Sequence, residues 1–191
     1  MRSKLLMLVL VGITAGPAFA AKKPVAPAQW EQEPDSFMGM RFDKKVDDVL
    51  PLCPSNGISE TMCHDKPYQN SFLIRRGPPL DFGYGLTVFA GGDGIESFYM
   101  TAKSEDYASL SHLLISKYGA PTERWTEVVK TKGGAEFNDE TLAWQGKKVV
   151  IFAHKYSGDI NTSTVSIKTL VAAQRQAAEI ERKTKEGASK L

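Results

Sequence analysis

Apolar and polar residues alternate in short runs along most of the chain, and glycine, proline and asparagine separate the runs. In "FMGMRFD", Phe37, Gly39 and Arg41 alternate with Met38, Met40 and Phe42, the period of a strand. "KKVDDVLPL" changes to helical spacing, with Val46, Val49 and Leu50 on one side. Asp43 stands where an N-cap belongs, and Pro51 stops the helix. "NSFLIRR", "YGLTVFAG" and "GIESFYMTAK" then predict three strands. "RGPPLDFG" joins the first two and is too proline-rich for a strand interior. "GGDG" at 91–94 predicts a tight hairpin turn between the other two.

"SEDYASLSHLLISKYGAP" carries the strongest helical signal. Ser104 is the expected N-cap, and Glu105 and Asp106 complement the positive first turn. Tyr107, Leu110, Leu113, Leu114 and Tyr118 form the expected buried stripe. Gly119 caps the end and Pro121 prevents continuation. "ERWTEVVK", "ETLAWQ", "KVVIFAHKY" and "STVSIKTL" predict four more strands, with turns at "QGKK" and "SGDINT". The final stretch, "VAAQRQAAEIERKTKEGASKL", is rich in helix formers but poor in apolar residues, which predicts a solvated, frayed helix. A helix with three strands at 44–102 is thus followed by a helix with four strands at 104–170. That order predicts an α+β fold: an antiparallel meandering sheet with two helices packed on one face, in a tandem helix-plus-strands arrangement.

The first residues set the compartment. "MRSK" is a short basic region, "LLMLVLVGITAG" an apolar core too short to span a bilayer comfortably, and "PAFA" the small-residue pattern of a cleavage site. Residues 1–20 are therefore expected to be a signal peptide cut after Ala20, and no cysteine at that junction offers a lipid anchor. The expected organisation continues with an extended leader at 21–35, a single α+β domain at 36–171 and a polar helical tail at 172–191. The alternative for the leader is a packed arm, because Trp30 is costly to leave in water. Removing Arg2 and Lys4 from 24 basic residues leaves 22 against 22 acidic, so the mature chain is formally neutral. It lacks the excess positive charge that drives nucleic-acid binding and the basic run that binds anionic membranes. The expected location is the periplasm or the exterior.

"FMGMRFDKKVDDVLPLCP" and "LLISKYGAPTERW" resemble segments of small exported bacterial α+β proteins. In these a strand and a glycine lead into a short helix, and "YGxP" closes another. The layout is similar to the group holding the SmpA/OmlA outer-membrane assembly lipoproteins and the β-lactamase-inhibitor-like fold. The resemblance implies a binding or assembly role rather than catalysis, and it assigns no functional residue. This chain departs from the lipoproteins in having no lipobox.

"CPSNGISETMCHD" holds the only two cysteines, Cys53 and Cys63. In an oxidising compartment a disulfide is the expected use of such a pair. The alternative is copper held by Met62, Cys63 and His64, which offer soft ligands. A closed zinc site needs four ligands, and too few lie near. His112 falls off the apolar stripe, as a surface histidine would. His154 shares a strand face with Phe152 and Tyr156, as a hydrogen-bonded, half-buried histidine would. There is no G-x-S-x-G elbow, H-E-x-x-H or P-loop, and the one aspartate of "GGDG" does not make a calcium site.

Aromatic residues crowd the predicted strands, and two helices can cover only one sheet face well. Part of the aromatic set is therefore expected on an open face as a binding surface, with Phe82, Tyr84, His154 and Tyr156 as candidates and Arg75 and Arg76 at its rim. The expected function is an exported, non-catalytic accessory protein without cofactor or metal, binding another exported or envelope protein as an assembly factor or inhibitor. The alternatives are a small periplasmic hydrolase using His154 or His64, and a copper-handling protein using Cys63 and His64.

Overall fold

The structure, a computed structural model, describes residues 30–56 and 58–190. The expected signal peptide and residues 21–29 of the expected leader lie outside these. A small hairpin, β1 (Ser36–Phe37) and β2 (Met40–Arg41), leads into the one-turn helix α1 (Val46–Val49). A first meander follows: β3 (Cys63–His64), β4 (Ser71–Arg75), β5 (Tyr84–Gly91) and β6 (Gly94–Lys103). A 3-10 turn (Ser104–Asp106) opens α2 (Tyr107–Tyr118). The second meander is β7 (Glu123–Lys130), β8 (Glu136–Gln145), β9 (Val149–His154) and β10 (Thr162–Thr169), and the chain ends in α3 (Leu170–Ala188).

All strands after the hairpin join one antiparallel sheet of eight, in the order β3-β4-β5-β6-β10-β9-β8-β7. The last strands of the two meanders, β6 and β10, pair at its centre, from Lys103↔Thr162 to Ser97↔Lys168. The fold is thus α+β, with a helix followed by four strands occurring twice. The expected first half has one strand fewer, because β3 is only two residues long and sits inside the cysteine loop.

One face of the sheet carries the core. Phe72 and Ile74 of β4, Leu86 and Val88 of β5, Phe98 and Met100 of β6, Val165 and Ile167 of β10, Ile151 and Ala153 of β9, and Leu142 and Trp144 of β8 all point to it. α1 adds Val46, with Leu50 just beyond it; α2 adds Tyr107, Leu110, Leu114 and Tyr118; the hairpin adds Phe37 and Met40. Leu113 does not join them and is 42% exposed, contrary to the expected stripe. It lies about 100° around the helix from Leu114, and the sheet contacts a narrower stripe than five apolar residues suggest.

Four other local expectations are corrected. "FMGMRFD" is a hairpin and not one strand: Met38 (φ 47°) and Gly39 (φ 83°) both take the left-handed conformation that a two-residue hairpin turn requires. Asp43 does not cap α1; it accepts from Arg41 Nε at 2.8 Å, and this guanidinium holds its carboxyl below the usual aspartate range. Ser104 starts the 3-10 turn, and its hydroxyl donates to Ile160 O at 2.6 Å instead of capping. β8 also begins earlier than "ETLAWQ", because the polar residues before it pair with β7 as far as Lys130↔Glu136.

Two joints hold the layers together. Ile95 N donates to Lys44 O at 3.0 Å, which ties the β5–β6 turn to the start of α1. Gly94 sits there at φ 141°, and a Cβ on it would lie 2.7 Å from Phe42 O, so both backbone shape and space require glycine. At the other end Trp30 Nε1 donates to Tyr118 O at 2.7 Å, and Glu33 accepts from Val149 N at 2.8 Å. Residues 30–35 are therefore the packed arm, not a free leader.

Candidate binding surface

The opposite face of the sheet is fixed by the same alternation. Reading the pairings across strands gives rows of side chains perpendicular to them. The central row is Leu73, Thr87, Tyr99, Ser166, Phe152, Ala143 and Glu123, from β4 to β7. On one side runs Gly85, Thr101, Thr164, His154, Thr141 and Trp125. On the other runs Ser71, Phe89, Ser97, Lys168, Val150 and Gln145. The central row has no charge before Glu123 at its end. Its aromatics alternate with small and hydroxyl side chains, so each ring stands beside a low neighbour. Tyr99 is 38% and Leu73 39% exposed, while Phe89, Trp125 and Phe152 are half-buried.

α1 and α2 lie on the core side and leave this face open. α3 borders one end of it. Thr169 caps α3 by accepting from Ala172 N at 3.2 Å, Arg175 pairs with Glu96, and Lys168 Nζ donates to Gln176 Oε1 at 2.6 Å. A groove results between the helix and Phe89, Tyr99 and Ser166. No residue of α3 is buried, in keeping with a solvated tail. The helix is continuous rather than frayed, and ion pairs such as Arg182–Glu179 and Lys185–Glu181 run along it.

The expected site residues separate once the faces are assigned. His154 lies on the open face, stacked on Phe152 with centroids 6.3 Å apart, its Nδ1 3.0 Å from Thr141 Oγ1. Arg75 lies at the β4 edge of that face, held by Asp65 at 2.7 Å. Arg76 follows with a left-handed backbone (φ 56°). Phe82 and Tyr84 pack on the core side, where the Tyr84 hydroxyl donates to Pro78 O at 2.6 Å and burial raises its pKa. Tyr156 lies past β9, edge-on to Phe137 at 5.8 Å. The structure brings His154 together with Tyr99, Phe152 and Trp125 instead. These three stood among many strand aromatics in sequence, and only the register puts them on one face.

Cys53 and Cys63 form a disulfide with Cα atoms 5.0 Å apart. Cys63 sulfur is thereby taken from the copper alternative, and among the described residues no group of three or more His, Cys, Asp or Glu is placed to hold a metal. His64 is buried; its Nδ1 donates to Asp65 O at 2.9 Å, and its Nε2 is 3.1 Å from Asp47 Oδ1 without hydrogen-bond alignment. His112 is exposed on α2. None of the three histidines is hydrogen-bonded to a serine hydroxyl; the hydroxyl beside a histidine ring is that of Thr141, next to His154. Among the described residues no helix is long and apolar enough to cross a membrane. Comparison with protein-family models, curated proteins and solved structures finds no match to the chain.

Proposed function

We propose that the protein is an exported, non-catalytic accessory factor that binds another exported or envelope protein through the open face of its sheet. The observation that carries this is the central row: Leu73 and Tyr99 are exposed, Thr87, Ser166 and Phe152 half-buried, Ala143 lies buried beneath them, and there is no charge until the last residue. Protein interfaces favour that composition, in which tyrosine and other rings supply area at low entropic cost and hydroxyls supply adaptable hydrogen bonds. Charges stand at the perimeter, where Arg75 and Glu123 would fix orientation. The N-terminal pattern ending at Ala20 and the disulfide support an oxidising location.

The test is stoichiometric capture from an extract of exported proteins, with the native chain, with Tyr99→Asp and Phe152→Ala together, and with Leu113→Ala as a control on the other side. The expected result is one protein retained by the native chain and by Leu113→Ala and lost by the open-face variant. Equal retention by all three would move the interface elsewhere. Hydrolysis of generic ester substrates that disappears in His154→Ala would favour the enzyme alternative.

A further inference from the structure

The two edges of the sheet are not alike. Outside β3, the chain at Leu52 pairs in parallel with His64, with Cys53 N donating to His64 O and His64 N to Pro51 O. The disulfide fixes that segment, so this edge is covered. At the other edge β7 runs for eight residues, and no described segment pairs with its outer side. Lys155 N donates to Glu140 O, so even-numbered residues of β8 bond to β9 and odd-numbered ones to β7. Arg124, Thr126 and Val128 therefore turn their N–H and C=O groups outward.

The side chains of this edge carry a defined pattern. On the open-face side the order is Glu123, Trp125, Glu127. Arg124 is committed to Glu140 and Lys130 to Glu136, at 2.7 Å for the latter. Among the described residues no basic side chain pairs with Glu123 or Glu127, and Glu127 stands opposite Asp139. A second copy of the chain fits poorly. Antiparallel pairing of β7 with itself must keep side chains of one face together. On the open-face side a second copy offers only Glu123, Trp125, Glu127 and Val129, so no register sets a basic residue of this strand against either glutamate.

We infer that the β7 edge accepts an extended peptide of a partner as a ninth strand, with basic residues flanking an apolar one on the open-face side. The strand bonds to the outward groups of Arg124, Thr126 and Val128. Its apolar residue packs beside Trp125, and its two basic residues pair with Glu123 and Glu127. This edge meets the open face at Trp125 and at Glu123, the last residue of the central row, but its outward backbone groups belong to β7 alone, and the inference does not depend on the function proposed for that row.

The probe is a labelled peptide Thr-Lys-Thr-Val-Thr-Lys-Thr, with the same peptide carrying Glu for Lys as counterpart, followed by fluorescence anisotropy. The lysine peptide is expected to bind at least ~10-fold more tightly than the glutamate one, about 1.4 kcal/mol. Thr126→Pro removes an outward N–H and no β7–β8 bond, a change edge strands tolerate, and is expected to abolish binding. Glu123→Lys with Glu127→Lys is expected to reverse the preference, which keeps the test intact if the proline variant fails to fold. Tyr99→Asp with Phe152→Ala should bind the peptide as the native chain does. Equal affinity for the two peptides, an unreversed preference, or native binding by a folded Thr126→Pro overturns the inference.

Discussion

The second half is covered by α2, twelve residues long, which reaches β8 and β9 through the Tyr107 hydroxyl while the core side of β7 stays exposed, whereas the first half has the four-residue α1, whose Asp47 lies beside His64 of β3. The first half makes up the difference with other devices. The hairpin adds Phe37 and Met40, Phe42 packs edge-on to Phe98 with centroids 5.3 Å apart, and the disulfide pins the loop after α1 to the sheet edge. One architecture is thus closed by a helix on one side and by several short pieces and a covalent bond on the other. The difference shows what a helix of one turn lacks. It cannot present a full apolar stripe, so its layer must be assembled from segments with little cooperativity of their own.

The comparison is sharpened most by truncating α2. Leu110→Ala or Leu114→Ala should cost ~2–5 kcal/mol, because both side chains are buried against the sheet. Leu113→Ala should stay within about 0.5 kcal/mol, since that side chain faces water. Urea unfolding of the three variants checks this, and a large loss at Leu113 would mean that α2 is rotated.

The disulfide comes next. Replacing Cys53 and Cys63 with serine should cost roughly 2.5–3 kcal/mol, from the freedom regained by the unfolded loop. The loss should be local in its first effects, with amide exchange speeding at 53 and 63–64 while β7–β10 stays protected. Uniform loss of protection would show that the two halves unfold as one and that the staple serves both.

The smallest effect separates two buried tyrosines of α2. The Tyr107 hydroxyl is shared between Glu140 O at 3.2 Å and Ala153 O at 3.4 Å, whereas that of Tyr118 has no partner among the described residues. Tyr107→Phe should cost ~0.5–1.5 kcal/mol, and Tyr118→Phe should be neutral or stabilising. Desolvation raises both phenol pKa values well above the ordinary range. The unfolded chain therefore ionises first, so stability is intact below pH ~10 and falls as pH rises beyond it. Thermal unfolding between neutral and alkaline pH measures the slope, and Tyr118→Phe should reduce it.

Strand positions were largely legible because each run alternates and is bounded by glycine or proline. β5, β6 and β7 match their runs to the residue. The two-residue strands were not legible. Two residues hold no period, and β1, β2 and β3 exist because neighbours offer them partners. The open face was legible as a category but not as a set of residues. Alternation says that Tyr99 and Phe98 point to opposite sides of β6, and nothing local says which side the helices take.

The sequence by itself determined the kind of layers and the order of the longer elements, since these rest on periodicity and turn residues, and it made a disulfide the expected use of its two cysteines. Only the tertiary structure decided that β6 and β10 meet at the centre, that one edge is covered and the other unpaired among the described residues, and that His154, Tyr99, Phe152 and Trp125 share a face. Those outcomes depend on register between strands far apart in the chain, and a shift of one residue exchanges the faces of a whole strand.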